Sequence, residues 1–156
     1  MRKPKTWILV ADGAQARIVR ELTRDPETGE RLEDIVHRMQ HKPLRQIMSD
    51  RPGRAFASHG ARRSAMQYHA DPVRERQRQF AAMLIDELEK HHAAGALERL
   101  VVIAEPRMLG LIREALPPAL KPLVVEEFGK DLIKLPTEKL YAAIADLGVN
   151  GLHAER

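Results

Sequence analysis

The chain has 156 residues, of which 44% are hydrophobic and 31% charged, and carries a formal net charge of +4 at neutral pH. That length suits one domain around one core, and no apolar run approaches the roughly 20 residues of a membrane span. Cysteine is absent, which excludes disulfides, thiolate catalysis and cysteine-ligated zinc.

Trp7 to Ala11 is a short apolar run that ends in Asp12-Gly13, and Ala16 to Leu22 resumes with alternating apolar residues. Asp-Gly favours the positive φ of hairpin turns, so the two runs are expected to pair as a hairpin. Asp25-Pro26-Glu27-Thr28-Gly29 is a second turn cluster, and Leu32, Ile35, Val36 and Met39 predict a third strand. These three strands are expected to form an antiparallel meander. Pro43 to Ser49 is expected to make one short helical turn.

Ser49 to Pro72 has no hydrophobic periodicity, and connections beyond about 12–15 residues tend to be functional or disordered. From Ser49 to Arg78 there are seven arginines (51, 54, 62, 63, 74, 76 and 78) against three acids (Asp50, Asp71 and Glu75), a difference of +4 that equals the net charge of the whole chain.

Asp71-Pro72 is a helix start, with aspartate as cap and proline at the first helical position. Val73, Gln77, Phe80, Leu84 and Leu88, with Met83 and Ile85 beside them, predict an amphipathic helix that Gly95 ends. Leu100 to Ala104 reads as a strand buried on both faces. A helix over Pro106 to Leu116, a strand over Leu123 to Phe128 and a last helix over Thr137 to Leu147, capped by Thr137, complete the chain. The order predicts an α/β fold: a mixed sheet, an N-terminal antiparallel meander plus β-α-β units, flanked by helices. One domain is expected over residues 1–147 and a frayed tail over 148–156. The N-terminal apolar segment is too short for a signal peptide, so a cytoplasmic protein with no membrane partner is expected.

Arg51, Arg54, Arg62 and Arg63, with His59, have the chemistry to hold phosphates, because glycines let the backbone approach and guanidinium groups make bidentate contacts with phosphate oxygens. The following helix adds Arg74 and Arg78. An ordinary solvated basic loop and a subunit contact are the competing readings of the same residues. Asp12 ends a strand where a nuclease of the RNase H type places a metal-binding carboxylate, but the strands beside it supply no obvious acidic partner, and a turn-forming role is preferred. Asp50 is expected to pin its loop, as Asp71 caps its helix. The seven histidines show no zinc spacing, and no nucleophile elbow surrounds Ser58 or Ser64. No metal, cofactor or catalytic set is expected. Glu105-Pro106 follows a buried strand, a position that borders ligand sites in open α/β sheets. The preferred reading is a helix start, with Gly110 allowing close packing.

The stretches WILVADGAQARI, SDRPGRAF, RSAM and DP, then LVVIAEPRMLGLIREAL and KDL, resemble the bacterial host attachment protein family, in order and over roughly Trp7 to Leu135. The resemblance implies a role in bacterial attachment to host cells. It also implies a more distant likeness to the middle domain of archaeal and eukaryotic class 1 release factors, and with it an RNase H-like sheet. Release factors carry Gly-Gly-Gln in a region where this chain reads GRAFASHGARR, Gly53 to Arg63, so peptide release by that chemistry is not expected. The function expected first is a non-enzymatic domain that engages ribosomal RNA or tRNA through its arginine-rich segment. The alternatives are a hydrolase of phosphate or acyl esters using Asp12, Asp50 and His59, and a protein-interaction factor that affects attachment indirectly.

Overall fold

The computed structural model describes residues 4–39 and 71–149. Five strands, β1 (Thr6–Ala11), β2 (Gln15–Val19), β3 (Ile35–Arg38), β4 (Arg99–Ala104) and β5 (Val124–Gly129), form one sheet in the order β3-β2-β1-β4-β5. β1–β2 and β2–β3 are antiparallel, while β1–β4 and β4–β5 are parallel. Among the described residues three α-helices accompany it: α1 (Pro72–Ala93), α2 (Pro106–Ala115) and α3 (Thr137–Asp146). The expected mixed α/β class, including the N-terminal meander, is what the chain adopts.

Alternation along β1 splits the core in two. Trp7, Leu9 and Ala11 face α1 and α2 with Phe80, Leu84, Leu88 and Ile112, and Ile8 and Val10 face α3 with Leu140 and Ile144. Covered on both faces, the central strands β1 and β4 each bury five consecutive residues, as continuous apolar runs require. β5 lies at the edge, and its residues alternate between partly buried and exposed.

Local signals hold at most element ends. The Asp71 carboxylate accepts from the amides of Val73 and Arg74 at 3.0 and 3.2 Å, which satisfies two of the donors that a helix start leaves open. At the other end of α1, Gly95 follows the cap with φ of 78°, a conformation that glycine adopts without steric cost.

Several expectations are corrected. Val73 and Met83 do not join the buried stripe of α1 and are 42% and 39% exposed. The contact face runs through Phe80, Ala81, Leu84, Ile85 and Leu88; Val73 belongs to the first turn, and Met83 lies off that face. Leu32 precedes β3 and is exposed. Gly110 meets open space rather than a packed neighbour; the close approach is at Gly13, where an added Cβ would stand 2.4 Å from Gln77 Nε2. Thr137 is the first residue of α3 and not its cap: Pro136 holds that position with no side-chain bond, and the threonine hydroxyl accepts from Arg17 instead. Val149, expected in the tail, is fully buried with Leu140 and Ile144, so the core extends past Leu147. The helical turn expected over Pro43 to Ser49 lies outside the described residues.

Candidate functional site

The parallel strands β1, β4 and β5 end together, and so does β3, which runs parallel to β1 through the intervening antiparallel β2. This carboxyl edge is where open α/β sheets place their ligands. Both described ends of the chain around residues 40–70 meet it. The amide of Met39, just past β3, donates to the carbonyl of Ala14 at 2.8 Å. On the other side, Gln77 in the second turn of α1 lies against Gly13. Residues 39 and 77 are therefore both anchored on the β1–β2 turn.

Asp12 organises that turn. Its Oδ1 accepts from the amides of Ala14 and Gln15 at 2.8 and 2.9 Å, its own amide donates to the carbonyl of Gln15, and it is the one charged residue among the buried described residues, 8% exposed. The expected turn-forming role is what it performs. Oδ2 faces Lys134 Nζ at 3.9 Å, and the same ammonium lies 3.5 Å from Asp131. Glu105, after β4, spends its carboxylate on the amide of Arg107 at the start of α2. Among the described residues no group of three or more His, Asp or Glu side chains is arranged to hold a metal ion, and no helix is long and apolar enough to cross a membrane.

The other candidate residues divide. Arg74 stands exposed in the first turn of α1, three residues before Gln77. Arg78 turns away to pair with Glu114 of α2 at 3.0 Å and with Glu75 at 3.6 Å. Asp50, Arg51, Arg54, His59, Arg62 and Arg63 lie outside the described residues.

A second polar cluster, with no counterpart in the sequence reading, lies on the α3 face. Asp34 accepts from Arg31 at 3.1 Å, Arg17 at 3.4 Å and the Tyr141 hydroxyl at 2.5 Å. Tyr141 in turn accepts from Arg31, whose guanidinium stacks 4.9 Å from the tyrosine ring centre. Each of these atoms finds its partner inside the cluster. Such closure ties α3 to the chain before β3 and leaves little capacity for a ligand. Arg31 and Asp34 are 3 positions apart, but Arg17 is 17 from Asp34 and Tyr141 is 107 from it, so no local motif marks the cluster.

The model of the family described as "Protein required for attachment to host cells" matches residues 7–144, from β1 into α3. The chain belongs to that family. The host-attachment match covers all five strands, the carboxyl edge and the arginine-rich segment. A host-attachment chain is thus defined over this whole sheet rather than over one motif. The chain is also similar to Uncharacterized protein RP470 of Rickettsia prowazekii (strain Madrid E), 35% identical over 69 residues. That likeness spans 43% of this chain and 46% of the rickettsial protein.

Proposed function

We propose that this host-attachment protein is a non-enzymatic RNA-associated domain, acting on ribosomal RNA or tRNA, and that its contacts center on Arg51, Arg54, His59, Arg62 and Arg63 with Arg74 from α1. One observation carries the reading. The segment that holds the chain's excess positive charge leaves and rejoins the fold at a single place, the Asp12–Gly13–Ala14 turn, through Met39 and Gln77. In this reading the arginines between those two points gather at one edge, where they would raise the local potential far more than the same number spread over the surface.

Two further features support it. Asp12 is occupied by backbone amides and Lys134, so the edge offers a scaffold more readily than a general base. The order β3-β2-β1-β4-β5 with β2 alone reversed agrees with the RNase H-like sheet that the release-factor likeness implies. Requirement for host attachment then follows indirectly, through altered expression of other proteins.

Co-sedimentation with ribosomes and with bulk tRNA at low and moderate salt tests this. Binding by the wild type should fall steeply with salt, because each neutralised phosphate releases counterions. A variant with Arg51, Arg54, Arg62 and Arg63 all changed to alanine should lose it. A folded wild-type protein that binds neither ribosomes nor tRNA at low salt would end the reading.

A further inference from the structure

Among the described residues four carboxylates stand at the carboxyl edge, and each has a hydrogen-bond or ion-pair partner. Asp12 accepts the amides of Ala14 and Gln15, Asp71 those of Val73 and Arg74, and Glu105 that of Arg107. Asp131 shares Lys134 with Asp12. Hydrogen bonds from backbone amides, two sets of them at helix starts, fix Asp12, Asp71 and Glu105 in place and partly offset their charge. The cations of the same edge behave differently. Arg107, the second residue of α2, and Lys130, next after β5, are exposed, and neither has an acidic partner within ion-pair distance among the described residues. With strands about 4.8 Å apart, the ends of β1, β4 and β5 span about 10 Å, close to one Debye length at physiological ionic strength.

On this basis, and resting on the RNA reading above, we infer that Arg107 and Lys130 contact phosphates and extend a basic surface from Arg74 of α1 across the ends of β4 and β5. The partner it fits is an RNA backbone long enough to pass from α1 over the sheet edge. A single phosphate would not need cations on three separate elements, Arg74 on α1, Arg107 on α2 and Lys130 after β5.

The opposite edge supplies a charge-matched control. Lys90 is in the last turn of α1 and Lys121 lies just before β5, and both are exposed at the amino ends of the parallel strands. The experiment measures tRNA affinity against salt for the wild type, Arg107→Ala with Lys130→Ala, and Lys90→Ala with Lys121→Ala. Thermal unfolding of each verifies the fold. Each lost phosphate contact lowers the slope of log K on log salt by about 0.7–0.9, so the carboxyl-edge pair should lower it by about 1.4–1.8 and the amino-edge pair should leave it unchanged. Equal losses from both pairs would reduce the effect to net charge and overturn the inference. Wild-type binding with no change in the carboxyl-edge variant would overturn it too, with the RNA reading intact. No wild-type binding would overturn both.

Discussion

Tyr141 in α3 donates its hydroxyl to Asp34, 107 positions earlier in the chain, at 2.5 Å. The bond joins the last helix to the segment that enters β3, and it closes a cluster in which Arg17 and Arg31 share the same carboxylate. Tyr141→Phe removes one hydrogen bond to a charged acceptor and should cost about 1.5–3 kcal/mol. Asp34→Ala should cost more, about 3 kcal/mol or above, because it strands two partly buried guanidinium groups. Urea midpoints of the two variants check the ranking, and an Asp34→Ala protein as stable as Tyr141→Phe would refute it.

The same cluster predicts an alkaline dependence. Burial raises the Tyr141 hydroxyl above the ordinary tyrosine value, the hydrogen bond and charge of Asp34 add to the shift, and Arg31 opposes them. The unfolded chain ionises this group first, near pH 10. The contribution is therefore complete below about pH 10 and is lost as pH rises through the raised folded value. The stability difference between wild type and Tyr141→Phe should hold from pH 8 to about pH 10 and narrow as the pH rises beyond it to 11 and above. A constant difference across that range would show that the hydroxyl is not what the fold protects.

Asp12 separates a scaffold from a catalytic group. Asp12→Asn keeps an acceptor oxygen for the amides of Ala14 and Gln15 and should cost under about 1 kcal/mol, while Asp12→Ala leaves those donors open and should cost about 1–3 kcal/mol. RNA binding at low salt should survive Asp12→Asn. If that substitution abolishes binding in a folded protein, Asp12 contacts the partner.

Along α1, position decides cost. Phe80→Ala empties a core site and should cost about 3–5 kcal/mol. Met83→Ala, three residues on, should stay within about 0.5 kcal/mol. Asp71→Ala removes the cap and should cost about 1 kcal/mol. Chemical denaturation of the three variants reads all of these, and a large loss from Met83→Ala would place that side chain against an unrecognised surface.

Much of the fold follows from causes that act within a few residues. The cap at Asp71, the proline starts of α1 and α2 and the left-handed Gly95 were legible because the groups that bond are neighbours in the chain; the hairpin at Asp12-Gly13 was legible too, but Gly13 does not take the positive φ expected of it, and the Asp12 carboxylate holds the turn instead. The both-faces burial of β1 and β4 was legible because five apolar residues in a row cannot form one half-solvated face. The excess charge of residues 49–78 was a matter of counting. Tertiary structure alone decided the rest. That β4 lies beside β1 depends on which apolar surfaces pack, and this packing brings Glu105 and Lys134 to the turn that Asp12 holds. The exposure of Val73 depends on where along α1 the packing begins, and that of Met83 on which side of the helix is covered, neither of which the residue's own hydrophobicity encodes. Thr137 lost its expected capping role because Arg17, 120 positions away, reached its hydroxyl. Partners that distant become neighbours only when the strands and helices between them have packed.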